Sequence, residues 1–437
     1  MRLNYWLCLL VLICGLNACK KPEKISQRRI QYNEKGIPSY DSINWAKQFK
    51  FGKINIAEKN EKAEAISRFF NEQWLPSNAS GGLLVAWHGE IIFEAYNGYS
   101  NYENEELITA ETPVHIASVS KVLTGLAVLK LVENKKIELE DKVSQYLDGF
   151  PYPDVKIIDL LNHRSGLPNY LHLSDDKKFW NSTEMMTNQD VLNILIDKKP
   201  PPSWPSGKKF SYCNTNYVLL ALIIEKLTKL SYPEAMKFMV FEPLGMTNTF
   251  VMEFDKDSAK VSKSYYNNGR EWKYDHLDKT YGDKNIYSTP RDLLKMDVAM
   301  YSPKFLPEEL KELAWKGYSY ESKGIKNYGI GIRMLEWDNG DKLLYHKGLW
   351  HGNRSLYVRD FRDEVCVIAL GNRINKSIYE SMGLVSLFYN YPFPPPEKSA
   401  GDSLKTKVDS INSQTIDEKA LPEKPDANAA ETVESQD

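Results

Sequence analysis

A serine and a lysine three residues apart give this chain the means for acyl transfer. Ser118 and Lys121 stand where an apolar stretch passes into a predicted helix that continues to Leu131. Residues i and i+3 lie on the same face of a helix, so the Lys121 amine can reach the Ser118 hydroxyl. A serine hydroxyl becomes a good nucleophile when a neighbouring base takes its proton. The pair therefore indicates a serine-ester intermediate, with a plain helix cap at Ser118 as the alternative.

The spacing alone is not specific, because other pairs in the chain share it. Ser174 with Lys177 and Ser206 with Lys209 match it, within polar or Pro- and Gly-rich stretches that are typical of loops. Ser118 differs because apolar residues follow it at helical spacing, which predicts a helix buried in a core. These residues are Val122, Leu123, Leu126, Ala127, Leu129 and Leu131.

The composition is that of a soluble globular protein with a large core. The chain has 437 residues, of which 42% are hydrophobic and 26% are charged. This length allows two or three domains. The formal net charge of -2 lacks the positive excess that binding to nucleic acid requires, so nucleic acid is excluded as a partner.

The amino terminus is typical of an exported protein. Arg2 precedes the apolar stretch 5–16, which is too short to span a bilayer and suits a signal peptide of residues 1–18. The stretch ends in Leu16-Asn17-Ala18-Cys19, which resembles the bacterial lipobox. This resemblance implies a lipid on Cys19 and anchoring in the cell envelope, facing the periplasm or in the outer membrane. The alternative is an ordinary secretory signal.

The two ends of the mature chain differ in composition from the region between them. Residues 19–60 are rich in lysine and poorly periodic, which predicts a tether. Residues 396–437 are dominated by Glu, Lys, Asp, Ser and Ala, which predicts a disordered tail. The folded domain is expected at 61–395, and its two cysteines, Cys213 and Cys366, are expected to be buried thiols.

The order of the predicted elements indicates an α/β (α+β) fold. Strands at 82–87 and 90–95 surround a tight turn, helices are predicted at 189–197 and 216–229, and strands return at 328–335, 342–346, 355–358 and 365–370. Early and late strands predict one antiparallel sheet built from both ends of the domain and flanked by helices. A mostly helical subdomain, at about 118–265, is inserted between them. Ser118 falls at the junction, where clefts form.

Three motifs in order make the chain similar to a known family. It resembles the serine β-lactamases and penicillin-binding proteins, specifically the branch of class C β-lactamases, D,D-peptidases and related esterases. The motifs are Ile116-Ala117-Ser118-Val119-Ser120-Lys121, then Tyr212-Cys213-Asn214, then His346-Lys347-Gly348. The resemblance implies a β-lactamase/transpeptidase-like fold over about residues 80–390.

The first two motifs imply catalytic roles. By the resemblance Ser118 is the acylated nucleophile, with Lys121 and Tyr212 as its proton-transfer partners. Whether Lys121 or Tyr212 is the base in acylation stays open. Asn214 is expected to hydrogen-bond Lys121 and the substrate, with a helix N-cap as its alternative. Cys213 is expected to point away and to pack.

The third motif departs from that of β-lactamases, which have a lysine where this chain has His346. Side chains alternate along a strand, so Lys347 is expected to face away from the cleft and cannot replace the missing charge. A histidine of ordinary pKa is mostly neutral at pH 7. Anionic β-lactams are therefore disfavoured as the main substrate.

The residues around that motif are expected to bind substrate. Gly348 is expected to let substrate approach the strand closely. The amides of Leu349 and Ser118 are expected to form the oxyanion hole. Trp350 is expected to be a wall of the cleft, with simple packing as the alternative.

These residues predict a serine hydrolase that works through a covalent acyl-enzyme on esters or on D-amino-acid peptides and amides at the cell envelope. A true β-lactamase and a catalytically silent cell-wall-binding protein are the alternatives. No metal or cofactor is expected, because the sequence has no His-Glu-x-x-His motif, and no Gly-x-Ser-x-Gly elbow occurs. The expected partners are a small-molecule or peptide substrate and, through Cys19, a membrane. The oligomeric state is left open.

Overall fold

A seven-stranded antiparallel sheet lies at the centre of the molecule, whose computed structural model describes residues 31–32, 38–39 and 45–392. The order of its strands is β10-β11-β12-β13-β14-β3-β4, so strands from both ends of the folded domain meet between β14 and β3. The strands are, in chain order, β1 (Gln31–Tyr32), β2 (Pro38–Ser39), β3 (Gly81–Trp87), β4 (Glu90–Asn97), β5 (Tyr99–Asn101), β6 (Glu106–Leu107), β7 (Val114–His115), β8 (Phe250–Val251), β9 (Ile286–Ser288), β10 (Lys326–Tyr328), β11 (Arg333–Glu336), β12 (Lys342–Trp350), β13 (Asn353–Asp360) and β14 (Val365–Gly371).

Helices flank this sheet, and most of them occur between β7 and β9, where the helical insertion is expected. They are α1 (Ile56–Phe69), α2 (Ser120–Glu133), α3 (Ile157–Leu161), α4 (Tyr170–Asp175), α5 (Asn188–Lys198), α6 (Thr215–Thr228), α7 (Tyr232–Met236), α8 (Glu242–Leu244), α9 (Phe254–Asp257), α10 (Pro290–Ala299), α11 (Glu308–Trp315) and α12 (Ser377–Glu380). The expected fold class, an antiparallel sheet with helices on its faces, is confirmed.

The sheet separates two hydrophobic cores because side chains alternate across it. On β14, Val367 belongs to the core that α1 covers, and Ile368 belongs to the core formed with α2, α6 and α10. Both β3 and β14 are buried along their whole length. Strands covered on both faces favour continuous apolar runs, and both strands have such sequences.

One predicted strand is two strands in the structure. The expected strand 328–335 is interrupted after Tyr328, and β11 begins at Arg333. Gly331 lies in the connection with φ of +71°, a left-handed conformation that glycine adopts without strain. The turn could not be predicted because Ile330 and Ile332, which are both buried, continue the apolar pattern of a strand.

The folded domain begins earlier than the expected residue 61. Trp45 is buried, its Nε1–H donates to the Pro243 carbonyl at 2.8 Å, and its ring meets that of Phe305 at 5.3 Å. Helix α1 starts at Ile56, where the Asn55 side chain accepts the Ala57 amide. The buried residues of α1, Ala65, Ile66 and Phe69, all lie in its second half, so no apolar stripe marks where the helix begins.

Several expectations concern residues outside the described part of the chain. These are the signal peptide of residues 1–18, the lipidated Cys19, most of the tether and the tail at 396–437. Among the described residues, no helix is both long enough and apolar enough to cross a membrane. The two body cysteines, Cys213 and Cys366, are buried and form no disulfide within the described chain, as expected.

Replacing Trp45 should show that residues 45–60 belong to the folded unit. Trp45→Ala removes a buried indole, its hydrogen bond and its ring contact, so the free energy of unfolding should fall by about 3–5 kcal/mol. Urea denaturation measures this change. The control is Ile56→Ala, whose side chain is 67% exposed and whose loss should cost less than about 0.5 kcal/mol. Equal stability of the two variants would place residues 45–60 outside the cooperative unit.

Candidate active site

Ser118 lies in a short 3₁₀ turn, Ala117–Val119, directly before α2. Val119 occupies the N-cap position of α2, so the structure does not favour a capping role for Ser118. The Lys121 ammonium instead donates to the Ser118 hydroxyl oxygen at 3.1 Å. The predicted serine–lysine pair is therefore in direct contact.

Lys121 is fully buried, and its partners fix the position of its ammonium. Nζ donates to the Asp283 carbonyl at 2.9 Å as well as to Ser118. It also lies 5.1 Å from the ring centroid of Tyr212 and 5.7 Å from that of Tyr217. Three segments far apart in the sequence thus meet at this one ammonium. Asp283 could not be predicted from the sequence, because it contributes its backbone carbonyl, a group that nearly every residue type has.

The backbone next to Ser118 is strained and closely packed. Ala117 has φ of +46°, a left-handed conformation that costs a non-glycine residue about 1–2 kcal/mol. Strand β12 packs closely against this turn at Gly348. A Cβ there would lie 2.6 Å from the Ile116 carbonyl oxygen and 2.9 Å from the Ser118 nitrogen.

Gly348 is therefore required by the approach of β12 to the turn, and not only by substrate as the sequence suggested. The same approach brings the backbone of β12 alongside the Ser118 amide. Leu349, the next residue, has a side chain that is 37% exposed. Its amide and that of Ser118 remain the predicted oxyanion hole.

Tyr212 is half-buried between cationic and aromatic neighbours. The His163 ring lies 4.2 Å from its ring centroid, and the Arg333 guanidinium carbon lies 4.8 Å from it. The His163 Nδ1 accepts the Cys213 amide at 3.1 Å. Burial and the nearby Lys121 and Arg333 cations lower the pKa of His163 well below 6.5, so this ring is neutral.

Asn214 and Cys213 differ in their surroundings. Asn214 precedes α6 and its carbonyl accepts the Tyr217 amide at 3.0 Å, but within the described chain its side chain caps no helix amide. The expected hydrogen bond between Asn214 and Lys121 is not present, because the Lys121 nitrogen donates to Ser118 and to the Asp283 carbonyl within the described chain. The Cys213 thiol contacts the Leu167 carbonyl at 3.3 Å, and burial raises the pKa of the thiol to about 11. Cys213 packs, as expected.

His346 is more enclosed than the sequence suggested. It has no exposed surface, and its Nδ1 lies 2.8 Å from the Lys347 carbonyl. Nδ1 therefore carries the proton, and Nε2 accepts the Tyr328 hydroxyl at 3.1 Å. Burial, followed by repulsion from Arg333 and Lys121, lowers the pKa of His346 well below 6.5. The ring is neutral, and both of its nitrogens are occupied, so it supports the cleft wall and presents no free polar group.

Lys347 faces the opposite side of the sheet, as strand alternation predicts. Its ammonium lies 5.3 Å from the Tyr379 ring centroid, on the side covered by α12. Burial lowers the pKa of Lys347 to about 8. It does not supply charge to the cleft.

Arg333, at the start of β11, is a cation that sequence reasoning missed. Its guanidinium carbon lies 4.8 Å from the Tyr212 ring centroid and 5.8 Å from that of Tyr328. Its side chain forms neither an ion pair nor a hydrogen bond with any residue of 45–392. The pairing of Arg333 with Tyr345, next to His346, places it there. Its position beside the site follows from the register of β11 on β12. That register was not predictable, because the turn between β10 and β11 lies within an apolar stretch of sequence.

Trp350 is fixed by the protein around it. Its Nε1–H donates to the Asp278 carboxylate at 2.7 Å, and the Lys284 ammonium lies 4.5 Å from its ring centroid. The ring is half-buried at the end of β12. Both expected roles, packing and a wall of the cleft, are compatible with this position.

Comparison with known proteins places the chain in a family. The model of the Beta-lactamase family matches residues 66–377. Penicillin-binding protein 4* of Bacillus subtilis (strain 168) is 28% identical over 374 residues, covering 80% of this chain and 81% of that protein. Teichoic acid D-alanine hydrolase of Staphylococcus aureus is 28% identical over 272 residues, covering 60% and 65%.

A solved structure shows the same fold. The penicillin-binding protein from Bacillus halodurans superposes with a TM-score of 0.65 at 23% identity, covering 74% of this chain and 99% of that one. At this identity the likeness concerns the fold alone. The family match extends over most of the described domain and includes the Ser118, Tyr212 and Gly348 motifs. The resemblance predicted from the motifs is confirmed, and the chain belongs to the Beta-lactamase family.

Proposed function

We propose that this protein is a serine hydrolase that forms an acyl-enzyme on Ser118 and acts on esters or D-amino-acid peptides and amides at the cell envelope. One observation carries the proposal. The buried Lys121 nitrogen is held 3.1 Å from the Ser118 oxygen by the Asp283 carbonyl, with Tyr212 beside it. A nucleophile and a proton acceptor in contact are the requirement for serine-based acyl transfer.

The reaction proceeds in two steps. Acylation requires the form of the site in which Lys121 is the neutral amine or Tyr212 is the phenolate. The Ser118 oxygen then attacks the substrate carbonyl carbon while its proton passes to that base, and the amides of Ser118 and Leu349 stabilise the oxyanion. The leaving alcohol or amine takes up a proton as it departs. Water then attacks the Ser118 ester, releases the acid and returns the proton to the serine.

The geometry favours Lys121 for the first proton transfer. Its nitrogen lies 3.1 Å from the Ser118 oxygen, and the Tyr212 ring centroid lies 5.1 Å from the same nitrogen. We expect Lys121 and Tyr212 to work together in the proton transfers. We expect Tyr212 to deliver the proton to the leaving group and to activate the water, and Asn214 to bind the acyl amide of the substrate.

Arg333 supports a substrate that carries an anionic group. It gives the cleft a permanent positive charge next to Tyr212, which His346 does not. The named actions of two relatives, penicillin binding and removal of D-alanine from teichoic acid, suggest D-alanyl esters and peptides as the substrate class. Because Arg333 restores a cation, the neutral His346 does not by itself exclude β-lactams.

We also infer that the protein is anchored in the bacterial cell envelope through a lipid on Cys19. The support is the Leu16-Asn17-Ala18-Cys19 sequence after an apolar stretch. Residues 20–44 lie between this proposed anchor and the buried Trp45.

Covalent labelling tests the nucleophile. A fluorophosphonate should add its mass to the intact wild-type protein, and Ser118→Ala should abolish the addition because the attacking oxygen is gone. Ser206→Ala is the matched control, since Ser206 and Lys209 have the same spacing. It should label like the wild type. A folded wild type that does not label would favour the silent cell-wall-binding protein.

Removing the Arg333 charge tests the substrate class. Arg333→Gln should lower kcat/KM at least about tenfold for a D-alanyl ester with a free carboxylate, because a hydrogen bond to a charged group contributes about 1.5–3 kcal/mol. The same ester with its carboxylate amidated should change less than about threefold. Lys326→Gln, an exposed lysine on β10, is the control and should affect neither ester.

Nitrocefin in the same assay decides between esterase or peptidase and β-lactamase. Turnover of nitrocefin faster than that of the esters would make β-lactam hydrolysis the main activity.

For the Arg333 test, equal effects of Arg333→Gln on the ester with the free carboxylate and on the amidated ester would contradict the recognition of an anionic group.

Replacing Cys19 tests the anchor. Cys19→Ser removes the thiol that would carry the lipid, so the protein should move from the membrane fraction to the soluble fraction of the envelope. Cys366→Ser, a buried thiol in β14, is the control and should stay with the membrane. Retention of Cys19→Ser in the membrane fraction would argue against lipidation.

A further inference from the structure

The turn that carries Ser118 has a buried amide whose partner is unusual. Ala117 is fully buried and has φ of +46° immediately before Ser118. Its N–H donates to the Nδ1 atom of His115 at 3.1 Å. A side chain two residues upstream thus satisfies the amide of the strained residue.

This contact settles which nitrogen of His115 carries the proton. Nδ1 accepts the Ala117 amide, so the neutral ring must be protonated at Nε2. Nε2 lies 3.0 Å from the Oδ1 atom of Asn285, which accepts that proton, and the backbone nitrogen of Asn285 lies farther away, at 3.3 Å from Nε2. Asn285 is held in turn by its own amide, which donates to the carbonyls of Asp278 and Thr280 at 2.7 and 2.9 Å.

The surroundings keep His115 neutral. Burial lowers the pKa of His115 to about 4, with the hydrogen bond to Asn285 acting in the opposite direction. The charged and titratable groups that face it are Asp278, His351 and Lys284, and the Tyr287 ring meets it edge-on at 5.1 Å. Near neutral pH the ring therefore retains a free lone pair for the Ala117 amide.

Residues 283–285 thus support both halves of the catalytic pair. The Asp283 carbonyl accepts the Lys121 ammonium at 2.9 Å, and the Asn285 side chain accepts His115. Asn285 has φ of +69°, in the left-handed region of the backbone. A shift of this loop would move the base and the nucleophile's turn together.

We propose that His115 is a positioning residue for acylation, whose Nδ1 holds the Ala117 amide and thereby fixes the turn that presents Ser118 to Lys121. His115 does not contact the substrate. It acts through the backbone, so its loss should lower the rate of the chemical step and leave substrate binding largely intact. The inference rests on the proposed role of Ser118 as the nucleophile.

Two near-isosteric variants separate this role from simple packing. In His115→Asn the Oδ1 atom replaces Nδ1 and can still accept the Ala117 amide, whereas His115→Gln places its polar atoms at the position of Nε2 and leaves the amide unpaired. The rate of fluorophosphonate acylation should fall roughly tenfold or more in His115→Gln and stay within about fivefold of wild type in His115→Asn. With an ester substrate the loss should appear in kcat and not in KM.

The outcomes are distinct. Acylation of His115→Gln at the wild-type rate, or of His115→Asn as slowly as His115→Gln, would overturn the positioning role while Ser118 remains the nucleophile. A folded wild type that does not label would remove the proposed function and this inference with it. Thermal unfolding of each variant shows that the rates are measured on folded protein.

If neither His115 variant folds, Asn285→Gly decides in the same assay. Glycine tolerates the left-handed backbone at this position but removes the acceptor for Nε2–H. Slower acylation with an unchanged KM supports the proposal, and wild-type acylation overturns it.

Discussion

The Lys121 ammonium is the point on which the site depends, because a buried cation is costly unless polar groups surround it. Its partners are the Ser118 hydroxyl and the Asp283 carbonyl, with the Tyr212 and Tyr217 rings facing it. These groups come from the start of α2, the loop before β9, and the segment that enters α6. The sheet and the helical region must therefore pack correctly before the ammonium has its partners. Folding and the assembly of the site are in this sense a single event.

The surrounding charges strengthen that dependence. Arg333 and Lys121 both lower the pKa of His163 and of His346, and both rings stay neutral in the cleft wall. Neutral histidines can accept hydrogen bonds and can lie beside cations without repelling them. They also make the polarity of the wall insensitive to pH around neutrality. Arg333 is thus available to an anionic group of the substrate.

The sequence predicts those parts of the site in which the chemistry depends on the type of side chain. Ser118, Lys121 and Tyr212 were found because nucleophile, base and phenol are chemically distinctive and their motifs occur in order. The sheet was predictable because alternating and continuous apolar runs mark its strands. Asp283 contributes only a carbonyl, and Arg333 depends on a turn hidden among buried isoleucines. Trp45 was missed because a single indole packs where the surrounding composition indicates a tether.

Gly348 and the left-handed Ala117 have a consequence for how this enzyme could diversify. A Cβ at Gly348 would strike backbone atoms of the serine turn, and the Ala117 amide is already committed. The inner side of the cleft is therefore closed to change without loss of the reactive geometry. The side chain of Leu349, on the same strand, is partly open to solvent, and Arg333 has no partner within residues 45–392. Changes in substrate range would have to arise at positions such as Leu349 and Arg333. A substitution there alters which substrates bind and leaves the packing of Gly348 against the serine turn intact.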